Sequence, residues 1–409
     1  MYDIAIIGAG AAGIMAALSA SENSKSVVLI EKNQIIGRKI LATGNGRCNL
    51  TNRNIDVSRF HGAESSFIKN ILSEFDQTKT MQYFESLGLI LKEEDNGRIF
   101  PRTNQASTVV DALSHQLNQQ KVAVKANCLV KEIKYDNIWK IKAENNQEIA
   151  AKKLILTTGG KAAHHLGSSG DGLFWTKKMG HALTPIHAAL VPIETVESWT
   201  KDIQGLKVEG TAKIVVNGKV LDQKHGDILF THYGLSGPAI MGLSRTIAPL
   251  LEKSKVFIKI DIIPEESDSS LDEKIKKIFS LNGVKSVKNA LAGIVPANLV
   301  LTILKNLSIN PDKKSAEISR NDRQAIIECL KSLTLTVKNI RPLKEAQITS
   351  GGILSSEIDP KTMRSKIIPE LYFAGEIIDV DGDSGGFNLQ WAWSSGHLAG
   401  KSADKRTLL

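Results

Sequence analysis

A run of glycines near the amino terminus has the spacing of a site that binds a dinucleotide. Gly8, Gly10 and Gly13 form a G-x-G-x-x-G pattern directly after the apolar segment Ile4–Ile7. The first glycine allows a tight turn, the second lets the backbone approach a pyrophosphate, and the third lets a helix pack close to the strand. The first N–H groups of that helix then point at the phosphates, and the helix dipole strengthens the attraction.

A carboxylate follows at the end of the next apolar run. Glu31 comes directly after Val27–Ile30. A carboxylate at the tip of the second strand accepts hydrogen bonds from a ribose diol. The order of strand, glycine turn, helix, strand and carboxylate therefore predicts a nucleotide-binding βαβ unit, not an ordinary helix start that happens to contain glycine.

Three further glycine-bearing segments favour FAD over a nicotinamide dinucleotide as the bound cofactor. FAD is long, and its isoalloxazine ring must be held far from the first turn, so it needs more backbone contacts. The segment 37–52 offers cations for phosphate and small residues that admit a flat ring, and the segment 371–379 ends a strand. The segment 383–392 begins a helix whose N–H groups are expected to face the flavin pyrimidine edge, where negative charge gathers on reduction.

These segments, the glycine turn at the end of the buried strand pattern 154–160, and position 130 supply the residues that we expect to hold FAD. The cofactor-binding candidates are Gly8, Gly10, Ala12, Gly13, Glu31, Lys32, Arg38, Lys39, Gly44, Asn45, Gly46, Arg47, Cys48, Val130, Thr158, Gly159, Gly375, Glu376, Asp383, Gly386, Asn388, Leu389 and Gln390.

The composition is that of an ordinary globular protein. The chain has 409 residues, of which 42% are hydrophobic and 23% charged, and this length suggests two or three domains. The net charge of +9 is compatible with anionic substrates or nucleic acid, and equally with a solvated, lysine-rich surface. Many of the basic residues cluster between Lys274 and Arg341.

Cysteine usage and hydropathy predict a cytoplasmic protein. Cys48, Cys128 and Cys329 are far apart and odd in number, so they form neither a disulfide framework nor a paired metal motif. We expect no metal site. The apolar start lacks a basic segment, and no other stretch reaches the ~18 apolar residues that span a bilayer, so neither a signal peptide nor a membrane span is expected.

The patterning places these segments on an α/β framework. Strand and helix patterns alternate from residue 1 to about 188, short strands follow, and a helical, lysine-rich pattern runs from Pro264 to about Asn339. The simplest architecture is a discontinuous nucleotide-binding domain, 1–188 and 344–409, with an inserted β subdomain, 189–263, and a helical subdomain, 264–343.

Local signals add detail within these domains. The Asn217-Gly218 pair predicts a hairpin, and the Asn145-Asn146 pair predicts another turn. Helical patterns cover 65–87 and 103–119, and Asp171 is predicted to cap a helix that ends near Gly180.

Three segments resemble the signatures of one bacterial flavoprotein family: 44–52, 230–239 and 375–392. That family includes ribosomal-RNA dihydrouridine synthases, BaiN-like reductases of steroid C=C bonds and aminoacetone oxidase-like enzymes. The resemblance covers essentially the whole chain and implies bound FAD on a glutathione-reductase-like Rossmann domain. One departure lies at 161–166, where the family usually resembles Ser-Tyr-Pro, so the rim of the flavin site is expected to differ there.

Reduction of an enone-like C=C bond requires a hydride from flavin N5 and a proton for the other carbon. Uracil is such a substrate. Cys48 is the first candidate acid, because it lies in the flavin-side loop beside Arg47, which could tune its thiol. The alternative is a small buried cysteine packed against the cofactor. His232 and Tyr233 are the next candidate donors, and the alternative for them is a structural turn.

The sequence supports three functions. The first is NAD(P)H-driven reduction of uridine to dihydrouridine in 23S ribosomal RNA, with the basic helical insert tracking phosphates. The second is an FAD-dependent reductase or oxidase of a small metabolite, either a steroid-like enone or an aminoketone. The third is a non-catalytic, FAD-bearing RNA-binding module. No second complete G-x-G-x-x-G is present, so NADH or NADPH is expected to dock transiently at the flavin. The oligomeric state stays open.

Overall fold

The computed structural model describes residues 1–23, 25–144 and 147–405. The turn expected at Asn145 and Asn146 lies outside these residues. The strands are β1 (Tyr2–Ile7), β2 (Val27–Ile30), β3 (Thr51–Asn52), β4 (Phe60–Gly62), β5 (Leu91–Glu94), β6 (Arg98–Pro101), β7 (Ala123–Lys125), β8 (Val130–Asp136), β9 (Ile138–Ala143), β10 (Glu148–Leu156), β11 (His187–Ala189), β12 (Ile193–Thr195), β13 (Lys207–Val216), β14 (Lys219–Thr231), β15 (Gly234–Ser236), β16 (Phe257–Asp261), β17 (Leu333–Ile340), β18 (Ile348–Ser350), β19 (Leu371–Phe373) and β20 (Val380–Gly382). The helices are α1 (Ala11–Ala20), α2 (Arg38–Ala42), α3 (Ser65–Glu74), α4 (Gln77–Ser86), α5 (Ala106–Gln119), α6 (Asp171–Lys178), α7 (Pro238–Leu251), α8 (Asp268–Leu281), α9 (Val287–Leu291), α10 (Ala297–Asn306), α11 (Arg320–Lys331) and α12 (Phe387–Asp404).

The chain divides into two compact units. The first unit comprises Met1–His187 and Gln347–Leu409, and the second comprises Ala188–Ala346.

The first unit is built on a sheet with the strand order β7-β2-β1-β10-β9-β8, and β19 also pairs with β10. The strands β7, β2, β1, β10 and β19 run parallel to one another, whereas β9 is antiparallel to β10. The central strands are near-continuous apolar runs because both faces of such a sheet are covered. This arrangement confirms the predicted α/β class and the Rossmann-type FAD-binding domain.

The first and last helices of the chain pack against each other at backbone distance. A Cβ at Gly396 of α12 would lie 2.4 Å from the Ala12 carbonyl oxygen, and one at Gly400 would lie 2.2 Å from the Ala16 oxygen. Any side chain at these two positions would push α12 away from α1. The two glycines therefore bring the carboxyl-terminal helix onto the glycine turn of β1 and α1.

The second unit contains a closed barrel with the strand order β12-β15-β14-β13-β16-β17. The predicted hairpin is confirmed, since Val216 pairs with Lys219 across Asn217 and Gly218, which both have positive φ. The expectation of helix as far as Asn339 is wrong, because Leu333–Ile340 is strand β17 and closes the barrel. Its first five residues bury alternate side chains on the inside of the barrel, which is the period of a strand.

Two helix predictions also need correction. The single helical pattern over 65–87 is broken into α3 and α4, because Asp76 accepts a hydrogen bond from the Lys79 N–H (2.8 Å) and caps a new helix. Asp171 is the first residue of α6 and not its cap. Gly170, in a left-handed conformation, occupies the cap position instead.

Across the residues that the structure describes, no helix is both long and apolar enough to cross a membrane.

Candidate functional site

The first glycine turn is closed by the end of the neighbouring strand. The Thr157 hydroxyl, directly after β10, donates to the Ile7 oxygen (2.9 Å) and the Gly8 oxygen (2.8 Å). Gly8 has a φ of +103°, and a Cβ there would lie 2.6 Å from the Thr157 oxygen. A Cβ at Gly13 would lie 1.8 Å from the Gly8 oxygen. Both positions therefore require glycine for steric reasons.

Gly10 is different, because the space beside it is open. A Cβ built on Gly10 would meet no atom of the described chain within 4 Å. Gly10 is the N-cap of α1 and provides no side chain to bind the first N–H groups of the helix. Open space beside a helix N-terminus that has no side-chain cap is what a bound phosphate requires. The side chain of Ala12, the second residue of this helix, lies 2.8 Å from the position of a Cβ on Gly375.

Glu31 is buried at the tip of β2, and the protein fixes its orientation. Its Oε2 accepts from the Ala9 N–H (2.8 Å), and its Oε1 accepts from the Asn33 N–H (2.8 Å) and side-chain amide (2.7 Å). A carboxylate has about four acceptor positions, so one is left for a ribose hydroxyl. The Cys128 N–H donates to the Glu31 carbonyl (2.8 Å), which brings the start of β8 at Val130 to the same end of the sheet.

Three of the basic residues predicted to bind FAD are held by other protein groups. Lys32 forms an ion pair with Asp171 (3.1 Å), and Arg38 donates to the Asn33 side-chain oxygen (3.1 Å). Lys39 pairs with Glu376 and thereby connects α2 to the segment after β19. These contacts show how the side chains are oriented in the protein and leave their role toward FAD a prediction.

The loop after α2 is exposed and has an unusual backbone. Gly44, Asn45 and Gly46 have successive φ angles of 57°, 56° and 81°. A Cβ at Gly44 would lie 2.9 Å from the Asn49 nitrogen. Three consecutive left-handed residues need glycine or asparagine, so the local backbone explains why this segment is rich in both.

Cys48 lies beneath this loop with a side chain that is 0% exposed. Burial raises the pKa of its thiol to about 12, and its hydrogen-bond partner is Thr43. The expectation that Arg47 tunes this thiol is wrong. The Arg47 guanidinium instead pairs with Glu94 and lies 4.2 Å from the centre of the Phe100 ring. This burial favours the alternative of a cysteine packed beneath the cofactor.

Two buried oxygen atoms close to these loops have no hydrogen-bond partner among the described residues. They are Asn49 Oδ1 and Thr158 Oγ1. Asn49 Oδ1 is also 3.1 Å from the position of a Cβ on Gly386. A buried polar atom without a partner is costly, so both atoms are suited to a ligand. Thr158 is a predicted site residue, whereas Asn49 was missed, although it lies within the asparagine-rich segment that pointed to the site.

The amino-terminal end of α12 is shaped by Gly386 and Asn388. A Cβ on Gly386 would lie 2.4 Å from the Thr51 oxygen. The Asn388 amide oxygen accepts from the Gly382 N–H (2.8 Å), and its nitrogen donates to the Gly382 oxygen (2.7 Å). The Asp383 carboxylate contacts Arg59 (2.7 Å) and His61 (3.0 Å). The first N–H groups of α12, including that of Leu389, have no intrahelical acceptor.

Gln390 belongs to the core. Its side chain is 0% exposed, and its amide nitrogen contacts the Phe75 oxygen (2.9 Å), Thr80 Oγ1 (3.0 Å) and Ser394 Oγ (2.9 Å). Its oxygen accepts from the Thr51 hydroxyl (2.5 Å). These bonds occupy the amide on both sides, so the structure gives Gln390 a role in packing.

Gly159 and Gly375 lie shortly after the ends of β10 and β19 and have positive φ angles of 72° and 78°. A Cβ on Gly159 would lie 2.8 Å from Ser168 Oγ. The Gly375 N–H donates to Ser395 of α12 (3.0 Å). Both strand ends therefore need glycine for a backbone turn.

His232 and Tyr233 form the two-residue turn between β14 and β15 in the second unit. His232 is exposed, Tyr233 is half-buried, and their ring centres are 4.8 Å apart. The Arg341 guanidinium lies 4.7 Å from the centre of the Tyr233 ring. Arg341 is itself held by Glu194 (2.6 Å) and Glu345 (2.7 Å). The turn is thus braced on one side and open to solvent on the other.

The residues of the first unit fit a flavin dinucleotide. The open space at Gly10 suits a pyrophosphate, the fixed Glu31 suits a ribose, and the unpartnered oxygen of Asn49 suits a ring N–H. Within the described parts of the chain, no group of three or more His, Cys, Asp or Glu residues is arranged to hold a metal ion.

Comparisons with known proteins agree with this geometry. The family model described as "HI0933-like protein Rossmann domain" matches residues 2–402. The 3-dehydro-bile acid delta(4,6)-reductase of Clostridium scindens is 34% identical over 99% of this chain and 100% of that protein. The ribosomal RNA dihydrouridine synthase of Escherichia coli is 31% identical over 96% of each chain.

A solved structure shows the same fold at low sequence identity. The 3-ketosteroid delta1-dehydrogenase of Sterolibacterium denitrificans aligns with a TM-score of 0.51 and 11% identity, over 98% of this chain and 99% of that chain. The resemblance inferred from the three sequence segments is confirmed by the family match. The chain belongs to the HI0933-like family of Rossmann-domain proteins, and it is an enzyme, an FAD-dependent oxidoreductase.

Proposed function

We propose that this enzyme reduces a C=C bond conjugated to a carbonyl, that its substrate is a uridine of ribosomal RNA, and that NADH or NADPH supplies the electrons. Two relatives more than 30% identical over nearly the whole chain are named for a bile acid delta(4,6)-reductase and a ribosomal RNA dihydrouridine synthase. Both names describe saturation of a C=C bond near a carbonyl. The two relatives therefore share a reaction class, although their substrates differ.

The net positive charge of the chain is the observation that supports an RNA substrate. The chain has 52 lysines and arginines against 43 acidic residues, a net charge of +9. Neutralisation of phosphates by basic side chains supplies much of the affinity for nucleic acid. An uncharged enone would gain nothing from this excess, whereas an acidic steroid would gain from it through a single carboxylate and RNA through many phosphates.

Bound FAD supplies the hydride, and the protein must supply a proton to the neighbouring carbon. We assign that proton to the turn of His232 and Tyr233, because both side chains carry a donor and His232 is open to solvent. Cys48 is a weaker candidate, since its thiol is enclosed by protein. The Asn49 oxygen and the uncapped N–H groups of α12 are assigned to holding the flavin ring.

Mapping dihydrouridine in ribosomal RNA tests the substrate. We expect a strain lacking the gene to lose one or more dihydrouridines and to regain them with the wild-type gene, but not with a Gly10→Ala variant. An unchanged map in the deletion strain would contradict the RNA proposal.

A steroid-like enone is the second candidate substrate. It is favoured by the 34% identity to the bile acid reductase, which is matched over its full length. Purified holoenzyme that oxidises NADH or NADPH faster with a 3-oxo-Δ4,6 steroid, while the deletion strain keeps its full dihydrouridine map, would favour this candidate.

A further inference from the structure

The outer face of the barrel in the second unit carries lysines that oppose one another. In β16, Ile258 and Ile260 are buried inside the barrel, so Phe257 and Lys259 point outward. The register pairs Lys259 directly with Lys213 of β13. Directly opposed residues on two antiparallel strands have their Cβ atoms about 5 Å apart, so these two ammonium groups share one patch of surface.

Nothing within the described chain neutralises this pair. Neither Lys213 nor Lys259 forms an ion pair there, and the next residue on the other side of Lys259 is the uncharged Thr334 of β17. Like charges directly opposite each other destabilise a sheet. If the barrel had only a structural role, a neutral or acidic residue at either position would make it more stable.

The same face continues to a second pair of lysines. Phe257 pairs with Thr336, and the Val337 N–H donates to the Val256 oxygen (2.9 Å), so the register leads on to Lys255 opposite Lys338. Both lysines are exposed, and the Lys255 ammonium lies 5.1 Å from the centre of the Phe257 ring. We call Lys213, Lys255, Lys259 and Lys338, arranged around Phe257, the barrel-face cluster.

Two acidic groups near the barrel-face cluster differ in how much of its charge they offset. Asp261, at the end of β16, pairs with Lys331 (2.8 Å). The Glu197 carboxylate accepts from the Thr336 N–H (2.9 Å) on both oxygens, and because an amide N–H has no net charge, Glu197 keeps its negative charge beside the cluster. This one carboxylate offsets part of the charge of the four lysines, and an excess of positive charge remains.

The helical part of the second unit is different, although it contains the richest run of lysines in the sequence. Four of its lysines are paired with carboxylates: Lys274 with Glu266, Lys276 with Asp272, Lys288 with Asp312, and Lys313 with Asp322. Much of the charge that the sequence places in this region is thus neutralised within the protein.

We propose that the barrel-face cluster docks a single strand of RNA, with phosphates on the lysines and a base against Phe257. This inference rests on the proposed function and specifies where its substrate is held. Lysines that follow a strand and surround an aromatic ring match the way single-stranded nucleic acid is bound, by phosphate contacts and base stacking. A double helix would not offer a base to the ring, so an unpaired segment is the expected partner.

The test measures binding of a fluorescent single-stranded oligouridylate to the holoenzyme over a range of salt concentrations. Each lost phosphate contact lowers the salt slope by about 0.7, so Lys213→Gln/Lys259→Gln is expected to lower it by about 1.4 and to weaken binding at least tenfold at low salt. The matched control, Lys274→Gln/Lys276→Gln, removes the same charge from paired positions and should change affinity less than about twofold. Phe257→Leu is expected to weaken binding about tenfold with an unchanged slope, because it removes stacking alone.

Two further measurements keep this result distinct from misfolding and from failure of the proposed function. The double variant should retain FAD and unfold at an equal or higher denaturant concentration, because it relieves repulsion. A wild-type affinity and slope in this variant would overturn the docking proposal. The proposed function is judged separately by the dihydrouridine map of the deletion strain, which does not depend on these lysines.

Discussion

The two units of this enzyme differ in the kind of residue that determines their function. In the first unit, the decisive positions are places where a side chain cannot exist, such as Gly8 and Gly13, whose missing Cβ atoms would collide with main-chain oxygens. In the second unit, the decisive positions are surface side chains that are brought together by strand pairing, such as Lys213 and Lys259. The first kind of signal is local in the sequence, and the second is not.

Because of this contrast, only some substitutions can change function without changing folding. Around the glycine turn the two are nearly inseparable, except at Gly10, where the neighbouring space is empty. On the barrel face, folding and function depend on different residues. The inward residues of each strand form the core, and the outward residues can bind a ligand without contributing to the core.

Gly13→Ala should damage folding itself. The new methyl would lie 1.8 Å from the Gly8 oxygen, so α1 must move away from β1. We expect the free energy of unfolding of the FAD-free protein to fall by about 3 kcal/mol, the upper end for overpacking. Urea unfolding of the apoprotein measures this loss.

Gly10→Ala is the matched control for Gly13→Ala, because it adds the same methyl group at a position where that group meets no other atom of the described chain. Its methyl would enter open space, so the unfolding free energy should change by less than about 0.5 kcal/mol. FAD affinity should nevertheless fall about 100-fold, because the methyl occupies the space assigned to the pyrophosphate. Titration of the apoprotein with FAD measures it. Full FAD affinity in Gly10→Ala would show that the pyrophosphate does not approach this residue.

Gln390→Leu tests whether a residue of the flavin-side helix serves the core. Leucine leaves the buried Thr51 hydroxyl without its acceptor and Thr80 Oγ1 without its donor, whereas the Phe75 oxygen and the Ser394 hydroxyl keep their bond to each other. We therefore expect a loss of about 2 kcal/mol in unfolding free energy. FAD affinity, measured well below the unfolding transition, should stay within about twofold. The opposite pattern, lost affinity with full stability, would place Gln390 at the cofactor.

The stability of the first unit should fall in acid because of His397. Burial lowers the pKa of this imidazole from 6.5 to about 4. Its Nδ1 is hydrogen-bonded to the Ser19 hydroxyl (2.8 Å), and its ring stacks on the ring of Phe75. The unfolded chain binds the proton first as the pH falls below 6.5. The contribution of neutral His397 is therefore complete above pH 6.5 and is lost progressively toward pH 4.

We expect this loss to be about 2 kcal/mol, which is discounted for partial exposure of the ring. Urea unfolding at several pH values should show a flatter dependence in His397→Gln than in the wild type. His115→Gln, at an exposed position of α5, serves as the control and should keep the wild-type profile. Some acid sensitivity should persist in His397→Gln, since burial also lowers the pKa of His181.

The parts of this molecule that the sequence predicted are those with short-range causes. The glycine pattern and Glu31 follow from backbone sterics and strand order, and the hairpin at Asn217 and Gly218 follows from left-handed turn residues. The first glycine turn, the α/β class and that hairpin are accordingly present in the structure.

The parts that the sequence missed depend on distant partners. Strand β17 was assigned to a helical region, because only pairing with β16 and β12 shows why its alternate residues are buried. Arg47 was placed beside the Cys48 thiol by adjacency, but Glu94 and Phe100 hold it elsewhere. The significance of Asn49 rests on an unpartnered atom that no sequence pattern displays.

The smallest expected effect comes from Arg341, which braces the turn assigned to proton transfer. Arg341→Gln removes its bonds to Glu194 and Glu345 and its contact with the Tyr233 ring, yet partly exposed ion pairs contribute little, so we expect a stability loss of about 1 kcal/mol. If His232 or Tyr233 donates the proton, kcat should fall about fivefold while KM changes little. A proton donor that is less well oriented affects the transition state more than substrate binding.

Arg341→Lys keeps the charge but loses the two-pronged bond to Glu345, so it should lie between the wild type and Arg341→Gln in kcat. The pH dependence of kcat provides the discriminating measurement, because a group that orients the donor alters its profile, whereas a merely structural brace lowers activity equally at all pH values. A uniform decrease with an unshifted profile would assign Arg341 to the barrel alone and would remove the link between this turn and the chemistry.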